Sequence, residues 1–270
     1  MRGLLRKIFI EVRWPVLFFG LGLALVMALL TALLPKVLGD IDRVFEKLPF
    51  VKPLLTALLG IEPTDGFTAQ MMQAFLWVHP TVLSLLWAHE LMYCTRVPAG
   101  EIDRGSVDFL LGLPVSRWKL YVTETIGFLL TGLVILSIGF AGHWFASGWL
   151  QPEMRPGAFA TFSVMTNLMA VYCAVGGLAF LVSAASDRRG RAIGIMFAIL
   201  LMSFLVNFLA QFWQPAKSVS FLSVMEYYRP ALTIQSGSFP WTNVLILLTV
   251  AATSWILGGV IFRCRSICTV

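Results

Sequence analysis

From Trp14 to Leu34 the chain carries no charged residue, and apolar runs of similar length recur at about 71–93, 120–144, 158–184, 192–213 and 241–262. About 20 consecutive apolar residues are what a helix needs to cross a hydrocarbon core. Inside lipid each backbone amide must find its partner within the segment, so such runs fold as helices. A membrane β-barrel would need alternating segments of about ten residues, and these runs do not alternate. Composition agrees: 13% of the 270 residues are charged, against roughly a quarter in a soluble domain. The expectation is an all-α, polytopic membrane protein with six transmembrane helices, a single membrane domain covering 1–270. The first run is too long for a signal peptide and lacks a small-x-small cleavage site, so it is read as retained.

Residues 1–13 read as an N-terminal amphipathic interfacial helix. Leu4, Leu5, Ile8, Phe9 and Val12 share one face, with Arg2, Arg6, Lys7 and Glu11 opposite, a pattern that lies flat among lipid headgroups. Pro35–Gln70 is a polar interlude with two short amphipathic pieces. The net charge of +6 does not point to nucleic acid, because the basic residues sit between the apolar runs. The N-terminal segment, the segment between the second and third runs, the Ser186–Arg191 turn and the residues after the last run hold 13 Lys and Arg; the alternate segments hold 7. The positive-inside rule then places both termini in the cytoplasm of a multi-pass plasma-membrane protein. Trp14, Trp149, Trp213 and Trp241 fall near span ends, where amphipathic rings settle.

The most informative stretch is Gly100-Glu101-Ile102-Asp103-Arg104-Gly105-Ser106-Val107-Asp108-Phe109-Leu110-Leu111-Gly112-Leu113-Pro114-Val115-Ser116-Arg117. Ser106 can cap a short helix whose first turn holds Asp108, where a negative charge suits the helix dipole. Gly112 closes that helix and Pro114 prevents its continuation. Ser116 then caps the third span, with Arg117 and Lys119 at the interface. A short helix with a Phe109-Leu110-Leu111 edge, held between two spans, offers a rigid surface to a partner.

That stretch resembles the A-G-E-x-x-x-G-T/S-x-x-x-L-L-x-x-P-V-S-R signature of type-2 ABC exporter permeases, matched at Gly100, Glu101, Gly105, Ser106, Leu110, Leu111, Pro114, Val115, Ser116 and Arg117. The N-terminal amphipathic helix, the six-span layout and the Ser186–Arg191 turn extend the likeness over nearly the whole chain, although only the Gly100–Arg117 string is specific. One departure is Glu124, where the family often has Lys. The resemblance implies an ATP-driven exporter permease working by alternating access. Its ATPase-coupling residues would be Gly100, Glu101, Arg104, Gly105, Ser106, Phe109, Leu110, Leu111, Pro114, Arg117, Asp187, Arg188 and Arg189. The Gln214–Pro240 segment resembles the family's outer re-entrant hairpin. Gly-Lys never occurs in the chain, so there is no phosphate loop of the G-x-x-x-x-G-K-[ST] kind. No cofactor is expected on this chain; ATP and magnesium belong to a separate ABC ATPase subunit. The other implied partners are a second permease copy or a sister permease, and membrane lipid. Glycines available for close helix approach are Gly139/Gly142, Gly176/Gly177, Gly190/Gly194 and Gly258/Gly259.

Ionisable residues inside a membrane each require a reason. Glu90 and Glu124 lie near span ends, where they can reach the interface or pair with Arg117 or Lys119. His79 and His143 fall at similar depth in neighbouring spans, making them weak metal candidates, with Met71 and Met72 nearby; hydrogen-bonded helix-interface histidines are the favoured reading. Asn207 reads as an interhelical contact. Cys94, Cys173, Cys264 and Cys268 imply no disulfide framework. The alternatives from other classes are an intramembrane enzyme built on His79, His89 or Glu90, and a scaffold or channel subunit without ATP coupling. No pattern in the sequence selects a substrate.

Overall fold

The computed structural model describes residues 2–48, 51–59, 69–107, 109, 112, 114–155 and 157–266. Among these the architecture is helical throughout: α1 (Arg2–Lys47), α2 (Val51–Leu59), α3 (Ala69–Val78), α4 (Pro80–Cys94), α5 (Glu101–Asp103), α6 (Arg117–Ser147), α7 (Ala158–Ala185), α8 (Arg189–Leu209), α9 (Gln214–Val219), α10 (Pro230–Ser236) and α11 (Trp241–Cys264). Five of the described helices are long and apolar enough to cross a membrane: Gly3–Leu33 within α1, then α6, α7, α8 and α11.

Two expectations change. The N-terminal amphipathic segment is not a separate element; helix α1 runs unbroken past Trp14. Ile8 and Val12 are buried, and Ile8 rests on Gly127 of α6, so the apolar face of the first turns goes on packing along α6. The expected second span at 71–93 is two helices, parted at His79. Pro80 has no amide hydrogen and pushes the preceding residue out of helical geometry, and His79 sits at φ −58°, ψ 130°.

The bundle is organised by two long pairings, α1 along α6 and α11 along α7, with α4 lying against α1 and α7. Helices α6 and α7 lock together through a reciprocal device. Phe128 of α6 stacks on Tyr172 of α7, with centroids 4.5 Å apart and planes 6° apart. One turn beyond each ring stands a glycine that receives the other: Gly132 lies under Tyr172 and Gly176 under Phe128. Close approach also explains several other glycines. Gly139 and Gly142 meet Leu23 and Ala24 of α1, Gly177 meets Ala251, and Gly258 and Gly259 meet Leu181 and Trp118. These pairs are therefore spent inside the chain; of those named for close approach, only Gly190 and Gly194 face open space.

Charged contacts show which segments share an end. Arg96, after α4, donates to Glu11 of α1 at 2.7 Å and to Glu124 of α6 at 2.5 Å. The start of α8 and the end of α11 meet the same region, as described below. At the opposite end, Gln73 of α3 donates to the Met154 carbonyl at 2.7 Å. Helices α3 and α4 thus lead from one end of the bundle to the other.

Candidate functional site

The site begins where α4 ends. In the wide turn Arg96–Gly100 the Gly100 amide donates to the Thr95 carbonyl at 3.0 Å. A Cβ on Gly100 would lie 3.1 Å from that carbonyl and 3.3 Å from Cδ of Arg189, so a side chain would part the two loops. After α5 the chain reverses at Gly105, whose φ of +69° is left-handed and unfavourable for a residue with a side chain. The reversal returns Ser106 to Glu101. The Ser106 amide donates to the Glu101 carbonyl at 3.0 Å, its hydroxyl donates to the Glu101 carboxylate, and Arg104 donates to the other carboxylate oxygen at 2.7 Å. Charge-assisted bonds of this kind are roughly twice as strong as neutral ones. Glu101 is thus an internal staple. The Ser106 hydroxyl is engaged as a donor within the turn, which leaves its oxygen able to accept from the helix expected after it.

Beyond the staple, Phe109 is 88% exposed, an unusual position for a large apolar ring at this polar end. Pro114 is exposed too. Leu110 and Leu111 lie outside the described residues, so the full extent of the expected coupling helix does as well. Ser116 caps α6 as expected, accepting from the Lys119 amide at 3.2 Å.

The Ser186–Arg191 turn is held against this segment. Arg189 donates to the Met92 carbonyl at 2.9 Å and to the Thr95 hydroxyl at 3.4 Å, and its own amide donates to the Asp103 carboxylate at 3.3 Å. Asp103 thereby places a negative charge at the N-terminus of α8, the positive end of its dipole. The Ala99 amide donates to Ser183 at 3.3 Å. Asp187 pairs with Arg265, which also donates to the carbonyls of Ala184 at 2.9 Å and Ser186 at 3.1 Å. Arg117 donates to the carbonyls of Phe262 at 3.2 Å and Arg265 at 2.5 Å. Two helix C-termini, α7 and α11, are thus capped by guanidinium groups. Arg188 is exposed on the turn. Sequence reasoning missed Arg96, Asp103, Ser183 and Arg265; a charge just past the end of an apolar run was the available signal for the first and last.

Among the intramembrane polar residues the two carboxylates depart from expectation. Glu124 pairs with Arg96, not with Arg117 or Lys119. Glu90 is 1% exposed, and neither carboxyl oxygen has a hydrogen-bond partner. His89 shares a hydrogen bond with the Tyr172 hydroxyl at 3.0 Å. His79 accepts from the Thr81 amide at 3.3 Å and meets Phe75 edge-on, while His143 bonds Thr31 at 2.9 Å and meets Trp77. Thr31 gives its only hydroxyl proton to the Met27 carbonyl, so Nδ1 of His143 is the donor to Thr31. The two weak metal candidates therefore have separate partners, and no group of three His, Cys, Asp or Glu suited to a metal occurs among the described residues. Asn207 donates to Glu226 at 3.1 Å, joining α8 to the segment after it.

The family model for "ABC-2 family transporter protein" matches residues 91–267, from the last turn of α4 through α11, including the whole stapled segment. The chain belongs to the ABC-2 transporter family. A search of curated proteins gives no match. As an ABC-2 permease it is a membrane-embedded transporter subunit and is not itself the catalyst. The turn at Gly100–Ser106, with Arg189 pressed on it, is where this permease joins two loops that are far apart in sequence.

Proposed function

We propose that this chain is the permease of an ATP-binding cassette exporter in the cytoplasmic membrane, driven by a separate ABC ATPase that docks on the end bearing Gly100–Arg117. The observation that carries the reading is the stapled turn: a stiff scaffold, fixed by Glu101 and Arg189, from which an exposed Phe109 projects. A push on such a scaffold moves α4 and α8 together, because Arg189 binds both ends of the joint. Docking there would bury Phe109 and leave ATP and magnesium in the partner. Six spans follow if α3 and α4 cross as one interrupted helix, about 37 Å long over their 10 and 15 residues. Both termini then lie on the ATPase side, with the basic segments, in agreement with the positive-inside rule. Two permeases, identical or sister chains, would enclose the path, and Gln214–Pro240 would form its outer gate.

The test is copurification with the ATPase and its activity, comparing wild type with Phe109→Asp. A buried interface aromatic replaced by a charge costs 2 kcal/mol or more, about 30-fold in affinity. Equal ATPase recovery with both proteins would sink the docking assignment. The intramembrane-enzyme reading on His79, His89 or Glu90 lacks a convergent site: His79 lies about 15 Å along the helix from His89, each histidine has its own structural partner, and Glu90 has no hydrogen-bond partner among the described residues.

A further inference from the structure

At the end of the bundle opposite the stapled turn, a cavity of about 460 Å³ opens between the last turns of α6, the loop after it and the first turns of α7. Phe140, Trp144 and Phe162 line its walls, His143 its inner part and Arg155 its polar end. The volume is that of a small-molecule or acyl-chain site. Trp144, Phe145, Phe159 and Phe162 are all more than half exposed, so this flank presents aromatic rings to the bilayer and not to water. Arg155 is held in place: Nε donates to the Leu150 carbonyl at 3.1 Å and Nη2 to the Gly148 carbonyl at 3.0 Å. A guanidinium has five N–H donors, and these bonds use two of them. Its charge is not matched by any carboxylate among the described residues. An orientated cation with spare donors at the polar end of an apolar, membrane-facing cavity is complementary to a molecule with an anionic head and a hydrocarbon tail.

We infer that this cavity is a binding site for an anionic phospholipid, its acyl chain between Phe140, Trp144 and Phe162 and its phosphate on Arg155. The occupant is a lipid because the walls are apolar and the flank faces the bilayer. The inference needs only that α6 and α7 cross a membrane and is independent of any ATPase.

The detergent-purified full chain, titrated with dioleoyl phosphatidylglycerol or dioleoyl phosphatidylcholine and followed by native mass spectrometry, decides the matter. Wild type is expected to bind one phosphatidylglycerol about tenfold more tightly than phosphatidylcholine, the difference one charge-assisted bond supplies. Arg155→Gln is expected to abolish that preference and Arg155→Lys to restore most of it. Ala158→Phe, which narrows the cavity from α7 without touching the Arg155 carbonyl bonds, should weaken both lipids and serves if Arg155→Gln does not fold. Equal affinity of wild type for the two lipids, or an unchanged preference in Arg155→Gln, would mean an unspecific lipid annulus and overturn the site. Displacement of the lipid by glycerol phosphate, which has no chains, would overturn the lipid assignment in favour of a water-soluble anion.

Discussion

Arg96 carries more of this structure than its position in the sequence suggests. It binds Glu124 and Glu11 and lies 5.1 Å from the centre of the Tyr93 ring, tying α1, α4 and α6 at one level. Arg96→Gln would leave Glu124, whose side chain is 8% exposed, without its cation. Removing one partner of a buried pair costs about 3–5 kcal/mol, so a large fall in the melting temperature of the detergent-solubilised protein is expected. Restoring neutrality with Arg96→Gln/Glu124→Gln should recover part of that loss; an additive double mutant would show that the two do not interact. The reciprocal glycine notches give a second prediction at this scale. A Cβ on Gly176 would stand 2.2 Å from the Phe128 ring, so Gly176→Ala must displace the stack. Overpacking of this kind costs about 1–3 kcal/mol. Gly190→Ala, which meets open space, is the control and should melt as wild type or slightly higher, since alanine favours the helix.

Between elements, the joint of α4, α5 and α8 depends on Arg189. Its guanidinium reaches Met92 and Thr95 while its amide is held by Asp103, so a single residue fixes the spacing between two loops. Arg189→Ala keeps the amide bond and removes the side-chain bonds. The expected outcome is faster limited proteolysis between residues 101 and 117 with little change in global melting, because neither long helix pairing is touched. If the coupling proposal holds, the same variant retains the ATPase but responds less to ATP; unchanged proteolysis would mean that the joint is held elsewhere. This joint was half legible. The Gly100–Arg117 string announced a special turn, and Gly105 has the left-handed backbone that favours glycine there. Nothing in the string said that Glu101 turns inward to hold Ser106 and Arg104, because several side chains could satisfy either donor until the reversal at Gly105 sets which are adjacent.

At the scale of the molecule, the passage of α3 and α4 from one end to the other is the feature on which the layout turns. A six-span permease places Leu48 and Phe109 on opposite sides of the membrane. Leu48→Cys and Phe109→Cys should therefore react with an impermeant maleimide from opposite faces, with Cys264 labelling alongside position 109; labelling of both engineered sites from one face would remove the interrupted span. The sequence by itself determined the class and most of the spans, since uncharged runs such as Trp14–Leu34 have one stable answer in lipid. It also determined the family, because the stapled turn needs particular residues at fixed spacing. Tertiary structure alone decided three things. It showed that α1 continues past Trp14, since the burial of Ile8 depends on meeting Gly127. It showed which charges pair, since Glu124 finds Arg96 and not Arg117 only once α4 lies against α6. And it directed the glycines inward, since a small residue records that something comes close but not whether the neighbour is the same chain or another.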